Sequence, residues 1–174
     1  MTNQLHKLFV AHVPSPIGLL RIETNAIAIT RIDFVNEVKE EEHQTPLLNE
    51  AKLQLHNYFV DSLEKFTVPL QPRGTHFQLT VWDELVKIPF GKTNSYADIA
   101  NKLGDVNVIR AAASANGKNP IPIIIPCHRV MGKHGSLIGY SGGLWRKKWL
   151  FNHELKGIQP YLFGPLTNVV KPDL

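Results

Sequence analysis

A chain of 174 residues, 43% of them hydrophobic and 20% charged, is long enough to bury a core as one domain or as two small ones. Its single cysteine, Cys127, excludes an internal disulfide and any site built from several thiolates, and it suits a reducing compartment. The net charge of +4 is unevenly spread: residues 1–91 hold eight basic and eleven acidic side chains, whereas residues 92–149 hold nine basic ones against Asp98 and Asp105. Positive charge gathered in one segment is the footprint of a nucleic-acid binder. Residues 1–13 mix Asn, Gln, His and Lys among the apolar positions and offer no segment of signal-peptide or membrane length, so a cytoplasmic protein is expected.

In chain order, residues 8–13, 19–23 and 27–34 read as three strands, the first two joined by Pro14-Ser15-Pro16-Ile17-Gly18 as a turn. They predict a small antiparallel sheet. An acidic loop over 37–42 follows, and then Thr45 caps a helix with Pro46 in its first position. Leu48, Ala51, Leu55, Tyr58 and Phe59 line one face of that helix, which can cover the sheet. Residues 68–70 read as extended and Gln71-Pro72-Arg73-Gly74 as a linker, dividing the chain into domains 1–74 and 75–174. Nothing in residues 1–74 points to chemistry.

In the second part, Thr75 caps a helix to about Lys87, with Phe77, Val81 and Leu85 toward a core. Ser95-Tyr96-Ala97-Asp98 has the form of a capping box, opening a short helix that stops at Gly104. A second helix over 106–115 makes the pair a helix-turn-helix candidate in a basic setting. The proline-bounded apolar run over 121–130 predicts a buried strand or extended segment. Gly132-Lys133-His134-Gly135 then reads as a hairpin tip that supplies a wing. A last helix spans 144–154 with Trp145 and Trp149 on one face, and beyond Gly157 and Pro160 lies a tail without a clear pattern.

Cys127 ends the apolar run, and Pro126 stiffens the approach to it. His128 and Arg129 follow directly. An imidazole and a guanidinium close by are surroundings that lower a thiol pKa from about 8.5 and raise the thiolate fraction. The competing reading is a buried structural cysteine.

Pro-Cys-His-Arg-Val, residues 126–130, resembles the active-site motif of the O6-alkylguanine-DNA alkyltransferases, the self-methylating DNA repair proteins. Ala115-Asn116-Gly117-Lys118-Asn119-Pro120 upstream and Gly139-Tyr140-Ser141-Gly142-Gly143-Leu144 downstream are each similar to that family's pattern in order and spacing. The likeness is dense from 75 to 154 and only architectural before that. It implies an α+β fold: a small amino-terminal antiparallel sheet with a covering helix, ribonuclease-H-like, then a mostly helical winged helix-turn-helix domain carrying the active site.

The resemblance also implies a one-turnover activity on double-stranded DNA containing O6-alkylguanine, by a monomer with no cofactor. Cys127 would take the alkyl group irreversibly, His128 would serve it through a bridging water, and Glu154 would hold the histidine. Tyr96 would help displace the nucleotide and donate to guanine N3, and Arg110 would fill the vacated base stack, as base flipping requires. Asn119 would tie the turn before the active site. Base or DNA contacts fall to Val130, with the main-chain carbonyl of Cys127, and to Tyr140, Ser141, Gly142 and Ser95. Family members with a zinc site or a second, phosphate-responsive cysteine carry extra amino-terminal cysteines, so no metal is expected here. Ala112-Ala113-Ser114 departs from the glycine or valine common at that place. Two other readings stay open: a lesion recogniser or regulator that binds through the helix pair without transfer, and a Cys-His hydrolase.

Overall fold

The computed structural model describes residues 7–61 and 63–155; the uninterpreted tail beyond Gly157 lies outside the described residues. Strands β1 (Phe9–Ser15), β2 (Gly18–Thr24) and β3 (Ile29–Val35) form an antiparallel sheet in that order, with Val13 opposite Leu20 and Ile22 opposite Ile32. Alternation puts Leu20 and Ile22 in the core while Arg21 and Glu23 face outward. Gly18 turns the first hairpin at φ +115°, where a side chain would be strained.

Helix α1 (Pro46–Phe59) starts as expected: the Thr45 side chain accepts from the Leu48 N–H at 3.1 Å, and Pro46 occupies the first turn. Its buried face is Leu48, Ala51, Gln54, Leu55 and Tyr58, while Phe59 is half-buried. The linker is not loose. Ile29 donates to the Pro69 carbonyl at 2.9 Å and accepts from the Gln71 N–H at 2.8 Å, which stitches residues 69–71 to the sheet edge.

Helix α2 (His76–Val86) carries a full capping box between Thr75 and Gln78 and buries Val81, Trp82 and Leu85. After the two-residue strand β4 (Asn94–Ser95), helix α3 (Tyr96–Lys102) carries its own capping box between Ser95 and Asp98, and Gly104 turns the chain at φ +83°. The second helix of the pair starts differently from the expectation. Asp105 accepts from the Asn107 N–H at 2.8 Å, tightening residues 106–108 into a 3₁₀ turn before α4 (Ile109–Gly117) begins.

The apolar run over 121–130 is buried, but it is not a strand. Ile125 donates to the Ile121 carbonyl at 2.9 Å, Ile123 sits at φ +77°, and Cys127–Arg129 forms a 3₁₀ turn leading into β5 (Val130–Met131). Pro120, Pro122 and Pro126 have no N–H to give a ladder, so the run folds back on itself while its isoleucines anchor it in the core. Holding a β-branched residue at positive φ costs on the order of 1–3 kcal/mol, which that burial must overcome.

The wing is also reduced. Gly132 donates its N–H to the Ser136 carbonyl at 2.8 Å, residues 133–135 form a 3₁₀ turn, and β5 pairs in parallel with β4. Helix α5 (Leu144–Leu155) closes the described chain. Trp145 and Trp149 are half-buried on it, and its fully buried side carries Lys147, Leu150, His153 and Glu154. One core joins both parts, from Leu20, Ile29 and Tyr58 to Trp82, Ile99, Ile121, Cys127 and Leu150. The edge strand β3 also donates from Ile32 to the Pro120 carbonyl at 2.9 Å, at the entrance to the cysteine turn.

Candidate active site

A buried carboxylate organises the site. Near the end of α5, Glu154 Oε1 accepts from His128 Nε2 at 2.7 Å, Arg129 Nη2 at 3.0 Å and the Tyr58 hydroxyl at 2.8 Å, while Oε2 accepts from Arg129 Nε at 2.8 Å and the Gly91 N–H at 3.1 Å. Burial alone would raise this carboxyl, but the hydrogen bond from His128 and the charge and hydrogen bonds of Arg129 outweigh it and hold Glu154 well below the usual carboxylate range. Glu154 is 2% exposed and His128 0%, so these are charge-assisted bonds without solvent competition.

The 3₁₀ turn at 127–129 explains why all three of its side chains can be used. An ionised carboxylate only accepts, so His128 donates its Nε2–H to Glu154 and keeps Nδ1 as a bare lone pair. That Nδ1 is buried and has no hydrogen-bond partner among the described residues. Burial lowers the His128 pKa, and the neighbouring Arg129 and Lys147 charges add to this against the pull of Glu154. The imidazole therefore rests neutral, in the form that can take a proton.

The thiol departs from the sequence expectation. Cys127 is 1% exposed, and burial pushes it up to about 11 rather than down. Arg129 does not help it, because its guanidinium is spent on Glu154 and on the Ile88 carbonyl at 2.5 Å. What favours the thiolate is the Asn119 side chain, then the charge of Lys147 and the N–H groups of Cys127 and His128. Asn119 is fixed in place by donating to the Ile125 carbonyl at 2.8 Å and accepting from the Ile121 N–H at 3.0 Å.

Around the thiol, Tyr96 is 5% exposed; its hydroxyl donates to the Ile138 carbonyl at 3.2 Å and accepts from Asn116 at 3.3 Å. Burial and the nearby Cys127 push its hydroxyl up to about 12, so it stays a proton donor. Val130 is buried, and its carbonyl accepts from Lys147 Nζ at 2.6 Å. Tyr140 is buried with its hydroxyl unpartnered among the described residues, and its ring lies 6.4 Å from Phe34. Gly142 is needed where it is, since a Cβ there would come within 2.5 Å of Phe34 and 2.8 Å of Tyr140. Ser141 is exposed and lines a cleft of about 450 Å³ with Asn119, Lys118 and Arg146. Arg146 pins this loop to the sheet by donating to the Gly142 and Ile17 carbonyls, each at 2.7 Å, over the face of Phe34.

Three residues that sequence reasoning did not single out take part. Asn116 reaches Tyr96, the Gly139 carbonyl at 3.2 Å and the Cys127 carbonyl at 3.5 Å. Lys147 is fully buried, donates to the Val130 and Ile138 carbonyls, and is brought down to about 8 by burial. Its position seven residues before Glu154, on one helical face with Leu150, was a readable signal. Tyr58 comes from α1, where no chemistry was expected at all.

Ser95 and Arg110 stand apart from this cluster. Ser95 is occupied as the cap of α3, accepting from the Asp98 N–H at 3.0 Å. Arg110 is exposed on the first turn of α4, with no ion-pair partner among the described residues and with exposed Val106 and Ile109 nearby. The basic segment is less available than its count implies. Arg129 and Lys147 are buried and Arg146 is half-buried, leaving Lys92, Lys102, Arg110, Lys118, Lys133 and Lys148 facing solvent. Among the described residues, no group of three His, Cys, Asp or Glu side chains could hold a metal ion. No helix among them is long and apolar enough to cross a membrane.

Residues 8–72 match the family model for the 6-O-methylguanine DNA methyltransferase ribonuclease-like domain, and residues 76–156 match that for the DNA binding domain of the same family. The constitutive methylated-DNA–protein-cysteine methyltransferase of Bacillus subtilis is 42% identical over 150 residues, covering 80% of this chain and 91% of its own. The methylated-DNA–protein-cysteine methyltransferase of Haemophilus influenzae is 36% identical over 154 residues, with 84% and 86% covered. Among solved structures, Mycobacterium tuberculosis OGT in complex with DNA superposes with a TM-score of 0.74 at 41% identity, covering 82% of this chain and 90% of that one.

Proposed function

The chain belongs to the 6-O-methylguanine DNA methyltransferase family, whose members move an alkyl group from DNA to a cysteine, and from that premise we infer that Cys127 is the acceptor in a single-turnover DNA repair reaction. The observation that carries this reading is the chain's lone thiol, buried beside a neutral His128 that is held by Glu154. Duplex DNA is the partner, as the DNA-bound relative supports.

The proton leaves the Cys127 sulfur for the free Nδ1 of His128, by way of a bridging water. The sulfur lone pair forms the bond to the alkyl carbon as the carbon–O6 bond breaks, and that electron pair returns to the guanine ring. Tyr96, a donor held neutral by burial, stabilises the departing guanine anion. The guanine anion then takes the proton back, through water, from the His128 imidazolium, so guanine leaves neutral and His128 returns to its neutral form. Every atom comes from the thiol and the lesion, so the balance calls for no co-reactant, and the thioether ends the protein's cycle.

The same reading gives Asn119 the task of steadying the thiolate, and Val130, Tyr140, Ser141 and Gly142 the walls of the base pocket. Arg110 is the finger that enters the stack, flanked by apolar Val106 and Ile109, while Ser95 sets the start of the helix that carries Tyr96. A boundary at residues 74 and 75, action as a monomer and a cytoplasmic location complete the proposal. Intact mass measurement after mixing with O6-methylguanine duplex tests it. We expect one methyl group per chain, located on Cys127, none on Cys127→Ala, and repaired DNA equal to protein. Continued repair beyond one equivalent would favour a turnover enzyme, and tight lesion binding without mass gain would favour a recogniser.

A further inference from the structure

Tyr58, in the amino-terminal part, hydrogen-bonds Glu154, and its placement is specific. It lies on α1, 96 residues from Glu154, and is 0% exposed. Its ring is fixed from several sides, by Phe66 at 5.4 Å, Phe59 at 5.3 Å, Phe90 at 6.2 Å and His153 at 5.1 Å. Its own carbonyl accepts from His153 Nε2 at 2.7 Å, and His153 Nδ1 is paired with Asp61 at 3.3 Å. The hydroxyl therefore has little freedom, and it donates to Oε1, the same oxygen that receives His128.

We propose that Tyr58 is a positioning residue of the amino-terminal part that holds Glu154 Oε1 and draws on its charge, so that His128 stays in its neutral, proton-accepting form near neutral pH. This rests on the reading of Cys127 as acceptor and His128 as its base. A carboxylate oxygen that shares its charge with a second donor attracts an imidazolium less strongly. Removing the Tyr58 donor concentrates charge on Oε1 and stabilises protonated His128, which can no longer accept the thiol proton. Burial works in the same direction as the hydroxyl, since it already lowers the His128 pKa. The burial cost falls also on Tyr58, whose hydroxyl is pushed well above its ordinary range by burial and then by Glu154, so it remains a donor throughout.

The other charged or titratable groups packed here are Arg129 and Cys127 on the turn, Lys147 and His153 on α5, Tyr140 before it and Tyr96 on α3. Tyr58→Phe leaves all of them in place and removes one hydroxyl.

The experiment follows single-turnover transfer from free O6-benzylguanine against pH, using the full chain, with the His128 ring signals resolved by NMR from those of His153. For Tyr58→Phe the acid limb of the rate should move up by about one pH unit, which is about tenfold in rate below the limb. The plateau at higher pH and the affinity for duplex should stay within about twofold. The half-buried neighbour serves as the packing control: Phe59→Leu should lower the melting temperature without moving the limb. para-Aminophenylalanine installed at position 58 keeps the ring with a weaker donor and should give an intermediate limb, which carries the test should Tyr58→Phe not fold. An unmoved limb, a limb moved to lower pH, or an equal loss at every pH would each overturn the proposal and leave Tyr58 as packing. Failure of the parent reading looks different, because the wild-type chain itself would then not take up the alkyl group.

Discussion

On the amino-terminal sheet, Arg21 reaches Glu23 at 3.2 Å and Asp33 at 3.8 Å, and Arg31 reaches Asp33 at 2.6 Å, with side chains 17–56% exposed. Beside Cys127, by contrast, His128, Arg129, Lys147 and Glu154 are no more than 6% exposed, and every one is bound to another part of the site or to a main-chain carbonyl. Exposed pairs contribute about 0–1 kcal/mol each, and solvent can replace either partner. Buried ions are costly to desolvate and are tolerated only when fully paired. The contrast teaches where charge is being used: on the sheet it solubilises a scaffold, and around the thiol it sets protonation states.

Breaking the buried side of the contrast should have the largest effect. Glu154→Gln removes the charge that faces both Arg129 and His128 and turns an acceptor into a donor toward the guanidinium. Stability should fall by about 3–5 kcal/mol, the range for uncoupling a buried pair. Transfer should also slow at its plateau, because His128 without the Glu154 charge is a weaker base, while the acid limb should move to lower pH, opposite in sign to Tyr58→Phe, and duplex affinity should hold in the fraction that is folded. Chemical denaturation run beside single-turnover kinetics checks both. A loss of stability within that of an exposed pair would mean that the carboxylate is not the hub its five hydrogen bonds describe.

The thiol gives the next effect, and its sign follows from its direction of shift. Cys127 is pushed up from 9.0 to about 11 by burial, so between those values the unfolded chain releases a proton that the folded chain keeps. Folding stability contributed by this group is therefore full below pH 9 and is lost as pH rises toward 11, by roughly 2–3 kcal/mol over the two pH units. Lys147, brought down from 10.5 to about 8, acts oppositely: its desolvation penalty is relieved as pH rises from 8 to 10.5. The difference between wild type and Cys127→Ala isolates the thiol. Parallel stability curves for the two across pH 9 to 11 would show that folding does not raise the thiol above its unfolded value.

What the sequence showed and what it hid divide along a physical line. Caps at Thr45, Thr75 and Ser95 were legible because a side chain closes on an N–H three residues away, and strand alternation was legible because it has a two-residue period. The apolar run over 121–130 was misjudged, since burial needs apolar residues in a strand and in a folded turn alike. Arg129 looked like a neighbour of the thiol because it is two residues away, yet the 3₁₀ turn sends it to Glu154. Tyr58 could not be found at all, because the partner that gives it meaning is 96 residues distant and only the packing of α1 against α5 brings them together.

Arg110 sharpens the contrast from a third position, being exposed yet expected to act. Arg110→Ala should cost about tenfold, or about 1.4 kcal/mol, in repair of duplex while leaving transfer from free O6-benzylguanine unchanged. A finger matters only where there is a base stack to fill. Equal losses on the two substrates would place Arg110 in the support of the pocket, despite its lack of an ion-pair partner among the described residues.

The smallest effect is expected where charge is most conspicuous to the eye. Arg31 donates to Asp33 through Nε at 2.6 Å, and the hydrogen bond and charge of Asp33 raise the Arg31 pKa. Both residues sit on β3, close to the cleft that Ser141 and Arg146 also line. With the Arg31 side chain 56% exposed, water and salt replace the pair almost fully, and fixing two flexible side chains costs entropy that offsets what the contact supplies. Arg31→Ala should therefore change stability by no more than about 0.5 kcal/mol and leave transfer from the free base untouched. Denaturation midpoints at low and high salt check this, since whatever small loss appears should shrink as salt is added. If Arg31→Ala instead destabilised the chain as much as Glu154→Gln, or slowed transfer, the division between scaffold charge and site charge would fail at β3, and the cleft beside Arg31 would have to be counted as part of the working site.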